Sequence, residues 1–247
     1  SYPVTYTGAD TVNLSVGDIN LNTTGTAGGT VAVTGGTTST PTVTISSITG
    51  DGTLGISLGA DTATDIAGNS AGAEGPSATF NVDNTAPTLS IGAPSASQTT
   101  SGPVSYLLTY SGADTVNLTE GDIALNATGT ATGTLAVTDG TTATPTVTIS
   151  GIAGDGTLEI SVGAGTAEDS LGNSAGTTGP SATFIVDNAD PVVTVDTQLA
   201  SSATPMVSGT VTDMTVTTVE VIVDSQMYLT VVTGSTWTAN ITAVLSD

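Results

Sequence analysis

Nine residues, Tyr6-Thr7-Gly8-Ala9-Asp10-Thr11-Val12-Asn13-Leu14, return as Tyr110-Ser111-Gly112-Ala113-Asp114-Thr115-Val116-Asn117-Leu118, an offset of 104. The correspondence runs without a gap to Pro87 and Pro191. A repeat of this length means a structural unit set in series, and it constrains the fold before any propensity does. Each copy ends on a hinge, Val82-Asp83-Asn84-Thr85-Ala86-Pro87 or Val186-Asp187-Asn188-Ala189-Asp190-Pro191. Proline withholds a ladder donor and biases the residue before it to extended geometry, so each hinge separates two strand-like runs. The hinges predict three modules: residues 1–86, 87–190 and 191–247. Ser1 aligns with Ser105, so the first module is expected to lack an opening strand, which would lie upstream in a longer parent chain. The third is expected to stop short at its C-terminus.

Within the second copy, short apolar and threonine-rich runs predict strands over Thr88–Ile91, Val104–Tyr110, Asp122–Asn126, Gly133–Thr138, Thr146–Ile149, Leu158–Val162 and Ala182–Val186. Gly, Asp, Asn and Pro clusters between them are turn chemistry. Threonine is stiff at χ1 and suits the wet face of a sheet. One helical turn is expected around Leu118–Asp122. Seven short strands per copy predict an all-β fold of tandem immunoglobulin-like β-sandwich domains in a rod-like array.

Composition narrows the function. The chain has no Lys, Arg or His and 22 Asp plus Glu, a formal charge of −22. No side-chain salt bridge can form within it. With no cationic side chain to meet a phosphate, nucleic acid is not an expected partner. Docking to an anionic membrane fails for the same reason, and no apolar run approaches the roughly 20 residues of a membrane helix. There is no Cys, hence no disulfide, which suits a protein exported unfolded. Without His, Cys or Lys, nucleophile–base pairs and Schiff bases are unattainable, and no enzyme is expected. Hydrophobic residues at 37% argue against a disordered polyanion.

The motifs carry a resemblance. Gly50-Asp51-Gly52-Thr53-Leu54, Asp65-Ile66-Ala67-Gly68-Asn69 and Val82-Asp83-Asn84-Thr85-Ala86-Pro87, with their second-copy partners, resemble the repeated Ig-like modules of large bacterial surface proteins. Thr204-Pro205-Met206-Val207-Ser208-Gly209-Thr210-Val211-Thr212-Asp213, with the late Trp237-Thr238 pair, resembles another bacterial Ig-like class, found in giant adhesins and biofilm proteins. Those families usually contain Lys or Arg, and this chain departs from them. The resemblance implies a spacer role, with neighbouring modules of the same chain as partners, an extracellular or cell-surface location and a distal receptor of unknown nature.

The carboxylates point to Ca²⁺, which takes six to eight hard oxygens. Strand order in a sandwich sends alternate loops to each end. The first joint is expected to gather Asp51, Asp83 and Asn84 with Asp114, Asp122, Asp169 and Asn173. The second gathers Asp155, Asp187, Asn188, Asp190 and Asp213. Five acidic positions recur in both copies: Asp10/Asp114, Asp18/Asp122, Asp51/Asp155, Asp65/Asp169 and Asp83/Asp187. Asp10, Asp18, Asp65 and Asn69 therefore join the candidates. Beside this stands a structural reading. Asp and Asn at turns accept hydrogen bonds from their own backbone, Asp65-x-x-Gly68-Asn69 is a tight turn, and Asp10 and Asp114 cap one helical turn. The hinge also resembles the calcium-binding linker of cadherins.

The expected function is the stalk of an adhesin or biofilm-matrix protein, stiffened by Ca²⁺ at its joints. Two alternatives stay open. One is a self-assembling subunit of an extracellular filament, sheath or S-layer, whose missing strand a neighbouring chain supplies. The other is a carbohydrate-binding module, which 3% aromatic residues and a lone Trp237 support weakly.

Overall fold

A computed structural model describes residues 1–197, 204–213 and 215–242. The protein is all-β. Its only helical segments among the described residues are single 3₁₀ turns at Val16–Asp18 and Glu120–Asp122, the second lying within the helical turn expected at 118–122. The remainder of the third module's expected range, 198–203, Met214 and 243–247, lies outside the described residues.

Contacts divide the chain into two compact units. The first holds residues 1–88, 112–115 and 167–175, and the second holds 89–111, 116–166 and 176–247. In the first unit one sheet runs Tyr2–Pro3, Thr42–Thr49, Gly28–Thr34, and another runs Ile19–Thr23, Gly52–Leu58, Phe80–Val82. All these pairings are antiparallel. Val43, Ile45, Leu54, Ile56 and Val82, drawn from both sheets, form one buried cluster.

In the second unit each of those sheets has one more strand. One runs Thr132–Thr138, Thr146–Ala153, Val104–Ser111, Thr88–Pro94, and the other Ile123–Ala127, Gly156–Val162, Phe184–Val186, Gln98–Thr99. Alternation along Val104–Ser111 turns Val104, Tyr106, Leu108 and Tyr110 inward, as a period of two requires. Val104, Tyr106 and Leu108 meet Ile149, Leu158, Ile160, Val162 and Phe184 from the two sheets in a single core. Two sheets sharing one core is an arrangement consistent with a β-sandwich. Residues 88–99 first pair beside Val104–Ser111 and then cross over, so that Gln98–Thr99 lies parallel to Ile185–Val186.

The rest of the second unit pairs Val192–Val193, Met206–Thr212 and Thr236–Asn240 in one sheet and Thr218–Val223 with Gln226–Val231 in another. Trp237, 2% exposed, packs with Val211, Val219 and Ile241. It is a core residue, which removes it as a sugar-stacking surface.

Candidate functional site

The turn that carries Asp51 is set by backbone before its side chain matters. Gly52 has φ +143° and Gly156 φ +146°. A Cβ at either position would run into the carbonyl oxygen of Thr24 or Thr128, so glycine alone lets the turn close. Threonine hydroxyls complete it. Asp51 N donates to Thr26 Oγ1 and Thr53 N to Thr24 Oγ1, each at 2.9 Å. Asp155 N and Thr157 N repeat this with Thr130 and Thr128 at 3.0 and 2.9 Å.

From that turn Asp51 reaches the first hinge. Asn84 N donates to its Oδ1 at 2.6 Å and the Thr85 hydroxyl to its Oδ2 at 3.0 Å. Asn84 Nδ2 donates to the Gly50 carbonyl at 2.6 Å. The Asn84 amide, and then the Thr85 hydroxyl, hold the Asp51 carboxyl below the usual carboxylate range. Thr85 N donates to Asp83 Oδ1 at 2.9 Å. Within the same unit Asn173 Nδ2 donates to the Asp83 carbonyl at 3.0 Å. The structure therefore brings together Asp51, Asp83, Asn84 and Asn173.

The second hinge repeats the frame with two changes. Asn188 N donates to Asp155 Oδ1 at 2.6 Å and Asn188 Nδ2 to the Gly154 carbonyl at 2.8 Å. Ala189 stands where the first hinge has Thr85, and Asp190 where it has Ala86. Asp155 thus loses the hydroxyl that Asp51 receives, while the hinge gains a carboxylate, exposed at Asp190. Asp187 is 9% exposed, and its Oδ1 accepts from Ala189 N at 3.2 Å. Its Oδ2 is buried with no hydrogen-bond partner.

Asp213 shares that environment. It lines, with Asp187, Gln98, Thr99 and Thr215, a recess of about 380 Å³. Asp213 Oδ1 accepts from Thr215 N at 2.8 Å, Thr215 Oγ1 at 2.9 Å and Val216 N at 3.0 Å. The Thr215 amide, followed by its hydroxyl, holds the Asp213 carboxyl low. Two carboxyls lining one recess repel unless a proton or a cation lies between them, and the chain has no cationic side chain to offer. Among the described residues no three acidic side chains group closely enough to hold a metal by themselves. A cation here would complete its shell with backbone carbonyls, hydroxyls and water, as Ca²⁺ commonly does.

The other candidates are engaged locally. Asp18 Oδ2 accepts from Ser15 N at 2.8 Å and Ser15 Oγ at 2.7 Å, and Asp122 does the same with Thr119 at 2.8 and 2.7 Å. These are the capping acids of the two 3₁₀ turns. The expectation that Asp10 and Asp114 cap a turn is therefore corrected. Their backbone amides donate to Thr64 O and Glu168 O, both at 2.9 Å, in strand-like pairing. Asp65 Oδ1 accepts from Ala67 N and Asn69 N at 2.9 Å, and its Oδ2 from Asn69 Nδ2 at 2.9 Å. Asp169 does likewise with Leu171 N, Asn173 N and Asn173 Nδ2. The tight-turn reading of that motif is what the geometry shows, with Gly68 at φ +86°. The asparagine side chain, first among these donors, lowers both carboxyls.

Sequence reasoning passed over Thr24, Thr26 and Thr85, which fix the Asp51 turn and its hinge. The signal was present in the first two, since Thr24-Gly25-Thr26-Ala27 recurs as Thr128-Gly129-Thr130-Ala131.

No family model matches the chain, and neither a curated protein nor a solved structure matches it at a significant level.

Proposed function

We propose that the chain is a structural repeat segment of a large bacterial extracellular surface protein, of the adhesin or biofilm-matrix kind. Tandem immunoglobulin-like modules act as a spacer, and Ca²⁺ tightens the hinges between them. The spacer part is supported by the repeat: each copy closes a hydrophobic cluster of its own. The calcium part is carried by one observation, the partnerless buried oxygen of Asp187 beside Asp213.

Isothermal titration calorimetry of the 247-residue protein with CaCl₂, at near-neutral pH, tests the metal. Saturable binding that is lost in both Asp187→Asn and Asp213→Asn is expected. Equal heats in wild type and both variants would remove Ca²⁺ from this site. Single-molecule stretching tests the spacer. Successive unfolding steps of module size are expected, and one all-or-none event for the whole chain would overturn it.

A further inference from the structure

The two hinges share a frame and differ in what fills it. In each, an asparagine amide meets the acid of the glycine turn, and the asparagine side chain meets a glycine carbonyl. Asn84 does this with Asp51 and Gly50, and Asn188 with Asp155 and Gly154. The oxygens around that frame are not equally engaged.

At the first hinge the chain supplies the donors itself. Asp51 Oδ1 takes the Asn84 amide, and its Oδ2 takes the Thr85 hydroxyl at 3.0 Å. Asp83 Oδ1 takes the Thr85 amide at 2.9 Å. The turn at residues 169–173 adds Asn173 Nδ2, which occupies the Asp83 carbonyl at 3.0 Å. That turn also brings Ser170 and Leu171 to a recess of about 420 Å³ lined by Asp51 and Asp83. Its own carboxylate, Asp169, is turned back onto Leu171 N and Asn173. A cation entering here would have to displace donors that already satisfy these oxygens.

At the second hinge the oxygens are short of donors. Ala189 stands at the place of Thr85, so Asp155 Oδ2 receives no hydroxyl from the hinge. Asp187 is 9% exposed, and its buried Oδ2 has no partner. The three donors to Asp213 all meet Oδ1, which leaves Oδ2 for the recess that Asp213 and Asp187 line together. Where the first hinge receives an apolar side chain and an amide donor, the second receives a carboxylate. Burying a carboxylate oxygen without a donor is costly, and a small hard cation offsets that cost.

We infer that the hinges are not equivalent: the second takes one Ca²⁺ between Asp187 and Asp213, and the first closes on its own hydrogen bonds without a cation. The inference rests on the calcium reading of Asp187 and limits it to one of the two hinges. Thr85 against Ala189, and Leu171 with Asn173 against Asp213, decide which hinge responds.

Amide hydrogen exchange of the 247-residue protein, read by NMR in EDTA and in CaCl₂ at one ionic strength set with NaCl, tests this. With CaCl₂ at about ten times its dissociation constant, the Asn188, Ala189, Thr215 and Val216 amides should exchange about tenfold more slowly than in EDTA. The Asn84 and Thr85 amides should exchange at the same rate in both. Asp213→Asn should abolish the slowing at the second hinge and leave the first unchanged. Thr85→Ala should speed exchange at Asn84 about fivefold, the worth of one hydrogen bond, equally in EDTA and in CaCl₂. Slowing of Asn84 and Thr85 by CaCl₂ to the same degree as Asn188 and Ala189 would overturn the inference and leave calcium binding standing. Slowing at the second hinge that survives Asp213→Asn would overturn it too. No slowing at either hinge would overturn the inference and the calcium reading together.

Discussion

The Tyr110 hydroxyl donates to Thr166 Oγ1 at 2.7 Å inside the second copy, where Tyr110 is 5% and Thr166 1% exposed. Tyr6 makes the same bond to Thr62 at 2.8 Å, but from a half-buried position. Phenylalanine at 110 keeps the ring and leaves the Thr166 hydroxyl with one partner fewer in a dry site. Tyr110→Phe should cost about 1–2 kcal/mol of unfolding free energy, and Tyr6→Phe less, since water reaches it. Urea denaturation of the two variants checks the difference.

Alkaline pH should act through the same ring and its neighbour. Burial first of all raises the Tyr106 and Tyr110 pKa above the ordinary 10.0. A raised folded value means that the neutral phenol is favoured by folding. The stabilisation is whole below about pH 10 and is lost as pH rises through the folded values. Thermal melts between pH 8 and 11.5 should stay level and then fall at the top of that range. The loss should be smaller in Tyr110→Phe.

The 3₁₀ caps give a local prediction. Asp122 takes two hydrogen bonds from Thr119, and Asp122→Ala leaves that amide and hydroxyl without them. A destabilisation of about 1 kcal/mol is expected by chemical denaturation. Asp18→Ala should destabilise in the same direction in the first copy. At Asp18 the Ser15 hydroxyl, then its amide, lowers the carboxyl. That contribution is present above the ordinary carboxylate pKa of 3.8 and fades as pH falls below it.

Asp187→Asn should raise stability when no metal is bound. The substitution replaces a buried oxygen with no partner, next to another carboxyl, by a neutral amide. A gain of about 1 kcal/mol in chelator is expected. With ionic strength held constant by NaCl, added CaCl₂ should raise the melting temperature of the wild type more than that of the variant. Melts of both proteins in EDTA and in CaCl₂ check both signs.

Sodium chloride should stabilise the fold without passing through an optimum. A formal charge of −22 with no Lys, Arg or His leaves only side-chain repulsion to be screened. The Debye length shrinks from about 30 Å at 0.01 M to about 8 Å at 0.15 M. The melting temperature should climb over that interval by about 3 °C or more, and differential scanning calorimetry measures it.

Much of the strand pattern was legible because it is local. The runs at Val104–Tyr110, Gly133–Thr138 and Leu158–Val162 alternate, and strands lie there at Val104–Ser111, Thr132–Thr138 and Gly156–Val162. Gln98–Thr99 was not legible. It is polar and two residues long, and it exists because Phe184–Val186 offers an edge to it. The caps were misassigned although Ser15-x-x-Asp18 and Thr119-x-x-Asp122 have capping-box spacing. Recurrence of Asp10 at Asp114 drew attention to the wrong acid. At the hinges Asp51 meets Asn84 and Thr85, and the repeat offset sets Asp155 against Asn188 in the same way. The pairing of Tyr110 with Thr166 spans 56 residues and leaves no local trace. Nor does the contrast between Ile48, which is exposed, and Ile152, which is buried with Gly102 against it.

The glycines flanking Asp51 and Asp155 have a consequence for how such a chain changes over generations. Gly52 and Gly156 face the main-chain carbonyls of Thr24 and Thr128, so the placing of each carboxylate is inherited from the peptide path together with the threonine hydroxyls that close the turn. Duplicating a module copies that oxygen's address intact. The surrounding loops are then free to diverge, as Thr85 to Ala189 and Ala86 to Asp190 already have, and each junction can be tuned by single substitutions while the scaffold stays as it was.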